Sequence, residues 1–156
     1  MTPAIRLLKR EAIPHEVLQY THDPKVAAYG EEAVKALGLA PDSVFKTLLA
    51  QLDDGRLVVA LVPVMATLDL KGLAKAVGAR KARMADPALA ERTTGYVVGG
   101  ISPLGQRKRL PTVVDDSALA LSSIHVSGGR RGLEISLAPS ALIALLEATT
   151  APLARE

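Results

Sequence analysis

Lys46 is the residue whose setting most demands a chemical explanation. It lies within Val44-Phe45-Lys46-Thr47-Leu48-Leu49, a run with strand character. In a strand its side chain shares a face with Val44, Leu48 and Ala50, while Phe45, Thr47 and Leu49 occupy the other. Neither face is a normal solvent side. An ammonium there must pair, snorkel outward or line a pocket, because an isolated buried charge is costly. Lining a pocket is the functional reading. A strand-edge lysine that blocks aggregation is the structural one.

The second chemical feature is Gly95-Tyr96-Val97-Val98-Gly99-Gly100-Ile101-Ser102-Pro103-Leu104-Gly105. Paired glycines let a ligand approach the backbone, and their N–H groups can hold an oxyanion or a phosphate. No Gly-Lys-Ser/Thr follows, so this is not a P-loop. It misses the Gly-x-Ser-x-Gly elbow of serine hydrolases by one residue. A turn with unusual backbone angles explains the same residues without a ligand.

Positive charge gathers in three places: Arg107, Lys108 and Arg109; Arg130 and Arg131 inside Ser127-Gly128-Gly129-Arg130-Arg131-Gly132; and Arg80, Lys81 and Arg83. Such clusters suit a sugar-phosphate backbone, or they are solvated surface. No aromatic residues interleave them for base stacking. His15, His22 and His125 have no metal-ligand spacing and read as structural or surface residues. Tyr20 and Tyr29 flank a turn at His22-Asp23-Pro24 and either wall a pocket or pack in the core. The chain has no cysteine, so it carries no thiol nucleophile, zinc-thiolate site or disulfide. No metal and no cofactor are expected.

These residues need elements to position them. Thr2 before Pro3 is a helix N-cap followed by a first-turn proline. Glu16 to Tyr20 alternates as a short strand. Tyr29-Gly30 opens a second helix, which Gly38 stops. Ser43 to Leu52 and Arg56 to Val62 are strands joined by Asp53-Asp54-Gly55, a hairpin signal. Asp69 to Val77 and Asp86 to Arg92 are helices, each beginning with a capping aspartate. Gly95 to Gly105 holds a short strand and then the glycine loop. Pro111 to Asp115, Ile124 to Ser127 and Leu133 to Leu137 are further strands. Pro139 to Ala148 is a last helix, apolar nearly all round, and is expected to pack on several sides. Hairpins interrupted by short helices predict an α+β fold, a mainly antiparallel, barrel-like mixed sheet flanked by helices.

The chain has 156 residues, which suits one domain spanning 1–156. Hydrophobic residues make up 49%, enough for a core, and only 3% are aromatic, so Leu, Val, Ala and Ile must build it. The net charge of +3 aids polyanion binding only where the cations cluster. The N-terminus has no charged segment followed by a long apolar run, and no stretch is long enough to span a bilayer. The expected protein is soluble and cytoplasmic, with no membrane partner.

At several of these segments the chain resembles the YbaK/EbsC family of aminoacyl-tRNA deacylases, in its Cys-tRNA(Pro) deacylase branch. The resemblance runs nearly end to end. It rests on Met1-Thr2-Pro3-Ala4, Val44-Phe45-Lys46-Thr47-Leu48, Leu68-Asp69-Leu70-Lys71 and Met84-Ala85-Asp86-Pro87, with the glycine segment from Thr94 to Gly105 and the turn from Val126 to Leu133. It implies a fold shared with the editing domain of prolyl-tRNA synthetases. It also implies removal of cysteine wrongly attached to tRNA(Pro), a near-isosteric error that a synthetase pocket cannot strongly reject.

Matched by position, Lys46 stands at the family's essential lysine. Gly99 and Gly100 stand where backbone surrounds the scissile ester. Tyr20 and Tyr29 match pocket-wall positions, and Ser127 and Glu134 match polar ones. Thr47 and Ile101, inside the matched motifs, join the expected substrate-binding set. Arg107, Lys108, Arg109, Arg130 and Arg131 are the expected tRNA contacts. Tyr29 replaces a phenylalanine of the best-known relatives, and Glu134 an aspartate of some. The family chemistry uses the substrate's own thiol against its ester carbonyl, which suits a chain with no defensible nucleophile. Mischarged Cys-tRNA(Pro) and prolyl-tRNA synthetase are the implied partners. An editing deacylase for another small amino acid such as alanine, and a non-catalytic tRNA-binding relative, are the competing readings.

Overall fold

The computed structural model describes residues 1–25 and 29–155; of Tyr29 only the backbone is described. The first helix, α1 (Pro3–Arg10), begins as its sequence predicts, with the Thr2 hydroxyl accepting from the Ile5 N–H. Strand β1 (His15–Gln19) follows, then α2 (Tyr29–Leu37), which ends before Gly38 at φ 65°. Strands β2 (Phe45–Leu52) and β3 (Leu57–Pro63) form the expected hairpin. Its turn closes with Gly55 N–H donating to the Leu52 carbonyl at 2.9 Å and Gly55 at φ 90°.

Next come β4 (Thr67–Leu68), α3 (Leu70–Ala76), β5 (Ala82–Met84) and α4 (Pro87–Thr94). Asp69 caps α3 by accepting from the Gly72 N–H, whereas Asp86 makes no capping hydrogen bond to α4. Beyond the glycine segment lie β6 (Thr112–Asp115), β7 (Ile124–Ser127), β8 (Leu133–Leu137), α5 (Pro139–Leu146), β9 (Thr149–Ala151) and β10 (Ala154–Arg155). The predicted strand inside Gly95–Gly105 is absent. Side chains hold that segment in turns instead: the Tyr96 hydroxyl donates to the Leu104 carbonyl at 2.6 Å, and Glu91 accepts from the Val98 N–H at 2.8 Å.

The strands form a mixed, mainly antiparallel α+β arrangement divided among three ladders. One has the order β1-β8-β7, a second β5-β2-β3-β6-β9, and the third pairs β10 with β4. An isolated bridge from Val44 to His125 joins the first two. The alternation of β2 and β3 sends apolar side chains to both faces, as expected. Phe45, Leu49, Val59 and Leu61 pack against Val126, Leu133 and Ile135 of the three-stranded sheet. Ala50, Val58, Ala60 and Val62 pack on the other side beneath Leu73 of α3 and Leu153. Burying such side chains removes apolar area at roughly 25 cal/mol per Å² and makes this double-sided sheet the rigid centre. Helix α5 packs less than its composition predicts. Pro139 and Leu142 are buried, while Ile143, Leu145 and Leu146 are only partly covered.

Candidate functional site

The register of β2 explains how a lysine in an apolar strand reaches a cavity. β3 pairs along nearly the whole of β2, with Lys46 opposite Val62. On the other side β5 reaches only Ala50, Gln51 and Leu52. The Ala85 N–H still reaches the Leu49 carbonyl at 3.0 Å, and Val44 bridges to His125, so the open strand edge is the short stretch around Lys46 between them. A cavity of about 540 Å³ lies against that edge and is lined by six consecutive residues, Val44 to Leu49. Lys46 and Thr47 project from opposite faces of the strand, yet both border the cavity because it meets the edge.

The opposite walls come from distant parts of the chain. Tyr20 follows β1, Gly30 and Glu31 belong to α2, and Glu134 stands on β8. Ser127, Arg130 and Arg131 add the second glycine turn. Val98, Gly99 and Ile101 contribute the first, and Met84 and Pro87 supply an apolar lip. Glu31, Met84, Pro87 and Val98 are not legible as site residues in the sequence, since nothing in their local spacing sets them apart.

The cavity holds a partly buried ammonium and a buried carboxyl. Burial holds the Lys46 ammonium below its ordinary pKa, and the Glu31 carboxylate offsets part of that. No carboxylate stands within ion-pair distance of Lys46 among the described residues. Glu134 is buried, and burial alone pushes its carboxyl up to about 8. The Tyr20 phenol is raised by burial, with the nearby Glu134 and Glu32 charges in support. Two buried side-chain oxygens, Thr47 Oγ1 and Glu134 Oε2, have no hydrogen-bond partner among the described residues. Both residues line this cavity. Native structures leave few buried polar atoms unpaired, and two in one cavity point to a polar ligand.

The two glycine loops touch each other directly. A Cβ on Gly100 would lie 2.8 Å from the Arg130 Cα, so only glycine allows this approach. Ser127 clamps the junction: its hydroxyl donates to the Gly100 carbonyl and accepts from the Gly129 N–H, both at 3.2 Å. This geometry separates Gly100 from Gly99. Its N–H donates to the Val97 carbonyl at 2.8 Å, and Gly100 does not border the cavity. Gly99, at φ 95°, is the member of the pair on the wall.

The basic clusters separate in the same way. Arg130 and Arg131 border the cavity. Arg107, Lys108 and Arg109 do not, and Arg109 pairs with Glu147 at 2.8 Å. The backbone of Arg107 and Lys108 instead ties down α4, donating to the Thr94 and Thr93 carbonyls. Arg131 Nη1 donates to His22 Nε2 at 2.8 Å, which leaves His22 Nδ1 as donor to Glu32 Oε1 at 2.7 Å. His22 is thus structural, as its sequence setting predicts, and links α2 to the second glycine turn. The Tyr29 side chain, an expected pocket wall, lies outside the described residues. Among the described residues no three His, Cys, Asp or Glu side chains converge to hold a metal, and no helix is long and apolar enough to cross a membrane.

Comparison with known proteins agrees with this geometry. Residues 23–145 match the family described as the aminoacyl-tRNA editing domain. The chain is 37% identical over 144 residues to the candidate Cys-tRNA(Pro)/Cys-tRNA(Cys) deacylase EbsC of Enterococcus faecalis, covering 92% of this chain and 87% of that one. A candidate trans-editing enzyme for prolyl-tRNA synthetase superposes with a TM-score of 0.85 at 25% identity, covering 100% of this chain and 99% of that one. The hypothetical protein APE2540 superposes with a TM-score of 0.87 at 22% identity, covering 99% and 100%, and shares the fold. A match across most of the chain, joined to a cavity built around Lys46, places this protein in the aminoacyl-tRNA editing domain family.

Proposed function

We propose that this protein is a trans-editing deacylase that removes cysteine from mischarged tRNA(Pro), using the thiol of the substrate as nucleophile. The observation that carries the reading is the Lys46 cavity, with its unpartnered Thr47 and Glu134 oxygens among the described residues and no cysteine anywhere in the chain. Its volume of about 540 Å³ far exceeds a cysteinyl group and suits an aminoacyl group together with the terminal adenosine. The names of the similar proteins support cysteine as the amino acid and prolyl-tRNA synthetase as the partner. Tyr20, Thr47 and Glu134 hold the aminoacyl group, Ile101 and Gly99 bound it, and Arg130 and Arg131 face the phosphates. The Tyr29 side chain belongs to the same proposed wall. Arg107, Lys108 and Arg109, outside the cavity, are available only to more distant parts of the tRNA. The cytoplasm, where tRNA is charged, is the proposed compartment.

In the first step the cysteine sulfur attacks its own ester carbonyl. The carbon–oxygen bond to the ribose breaks, and the thiol proton passes to the departing ribose hydroxyl. The product is a cyclic thioester, which water later opens. Tethering of thiol and ester supplies the proximity term. The Lys46 ammonium stabilises the oxyanion in a partly desolvated site, where a fixed charge counts for more than in water. Glu134 enters protonated at neutral pH and ionises when the substrate ammonium arrives.

The experiment is a deacylation assay over cysteinyl-, seryl-, S-methylcysteinyl- and alanyl-tRNA(Pro). Cysteinyl-tRNA is expected to be cleared by orders of magnitude faster than the others. Equal rates for the cysteinyl and seryl esters would make water the nucleophile. Faster clearance of alanyl-tRNA would move the specificity to another small amino acid, and no clearance of any ester would make the chain a binding relative.

A further inference from the structure

Arg130 borders a second depression as well as the Lys46 cavity, and it is the single residue shared by the two linings among the described residues. This depression, of about 250 Å³, lies between α1 and β1. Ile5 and Lys9 of α1 face Val17 and Gln19 of β1 across it. Val17 is apolar yet 38% exposed. Gln19 and Lys9 are exposed too, and among the described residues the Gln19 amide is in no side-chain hydrogen bond and Lys9 in no ion pair. Helix α1 carries Arg6, Lys9 and Arg10 and no acidic residue, and Glu16 of β1 alternates to the opposite face from Val17 and Gln19. The basic character of α1 escapes a reading for charge runs because its cations are spread along a helix.

The second glycine turn holds the two depressions in fixed relation. The Thr2 hydroxyl at the head of α1 donates to the Gly128 carbonyl at 2.5 Å. The same turn reaches Gly100 through Ser127. Arg130 therefore sits on a brace tied both to α1 and to the loop beside the Lys46 cavity.

We propose that the α1–β1 depression is a nucleotide subsite that takes the nucleotide preceding the charged terminal adenosine of the tRNA. The inference rests on the editing function proposed above and extends it by one residue of the substrate. With the terminal adenosine in the Lys46 cavity, the linking phosphate passes Arg130. The next base lies against Ile5 and Val17, with Gln19 placed to hydrogen-bond its edge, and Lys9 faces the following phosphate. Aliphatic walls replace the aromatic platform that single-strand binders ordinarily use, so this subsite adds less affinity than base stacking on an aromatic ring would.

The test compares two minimal substrates, 2′(3′)-O-cysteinyl-adenosine and the same ester on the 5′-phosphorylated dinucleotide pCpA, which carries both phosphates the subsite would meet. The wild-type protein is expected to favour the dinucleotide roughly tenfold in kcat/KM, through KM. The double variant Lys9→Ala/Gln19→Ala should cleave the adenosine ester as the wild type does and lose most of the dinucleotide preference, keeping only the share that Arg130 and the linking phosphate supply. Loss of the Lys9 contact should also lower the log–log salt slope for tRNA binding by about 0.7. A wild type without the preference, or a double variant that keeps it in full, overturns the subsite. A second measurement works without turnover: titration of the ¹⁵N-labelled protein with uncharged CpCpA should shift the Val17 and Gln19 amides, and adenosine alone should not. If neither ester is cleaved, the editing function fails, and the titration still decides the subsite. Unmoved Val17 and Gln19 amides at a CpCpA concentration that shifts Gly99 would rule it out.

Discussion

Glu134 and Asp115 are both buried carboxyl groups on strands, 7% and 3% exposed, and they behave in opposite ways. Burial raises the pKa of each. At Glu134 nothing opposes it, so the carboxyl reaches about 8, and its Oε2 has no partner among the described residues. At Asp115 hydrogen bonds from Ser117, Leu153 and Ala154 together outweigh burial, and the carboxyl lies below its ordinary range. Its Oδ1 accepts from the Leu153 N–H at 2.7 Å and the Ala154 N–H at 2.8 Å, pinning the C-terminal segment to β6. Equal burial therefore does not make equal roles. A buried acid whose oxygens are engaged by backbone donors is a brace, and one left open beside a cavity awaits a ligand.

The largest effect should come from the cavity side of this comparison. Lys46→Ala is expected to lower kcat/KM for cysteinyl-tRNA by about 100-fold to 1000-fold, the range for removing one transition-state charge partner. Its melting temperature should hold or rise, because Lys46 forms no ion pair among the described residues and its charge is partly desolvated. Near-normal turnover by the folded variant would remove Lys46 from the chemistry.

Asp115→Ala should do the reverse. It leaves the Leu153 and Ala154 N–H groups without their acceptor, at a cost of about 3 kcal/mol in denaturant unfolding. Turnover well below the melting temperature should be unchanged. Because the folded carboxyl is depressed, its stabilisation is complete above the unfolded aspartate value of about 3.9. It is lost as pH falls through the lower folded value. The variant should therefore lose part of the acid-side decline in stability. A variant as stable as the parent, or one inactive though folded, would blur the contrast.

Glu134→Gln should give the smallest effect and the sharpest contrast. The folded carboxyl is raised from 4.5 to about 8, so across that window the unfolded chain ionises while the folded one keeps its proton. The stability of the ligand-free protein should fall as pH rises through the window, then level off. Glutamine should flatten that slope and match or exceed the parent in stability at neutral pH. The same variant should raise KM for cysteinyl-tRNA about tenfold, as expected for one charge-assisted contact. A slope unchanged by the substitution would mean that Glu134 is not the group responsible.

Interactions between near neighbours in the chain are legible in the amino-acid sequence. The Thr2 cap, the Asp53-Asp54-Gly55 turn and the Gly38 stop depend on residues a few positions apart, and each forms as predicted. Lys46 stands out because an ammonium breaks a local apolar pattern, and in the fold it borders a cavity. The family is legible for a related reason, since its motifs are contiguous and the match spans 23–145.

Long-range partners decide the rest. β9 exists because β6 offers a parallel edge to Thr149–Ala151, and β10 because β4 pairs with it. The first glycine segment becomes turns because the Tyr96 hydroxyl and the Glu91 carboxylate take its backbone groups. Gly99 and Gly100 look equivalent in sequence, and only the approach of Arg130 makes one a wall and the other a contact point. Sequence alone determined which residues carry charge, which turns close and where an ammonium breaks an apolar strand, because those depend on covalent neighbours. Tertiary structure alone decided that β5 stops at Ala50, leaving an open edge beside Lys46, and that no described residue reaches Glu134 Oε2, because pairing and burial are set by chain segments far away in sequence.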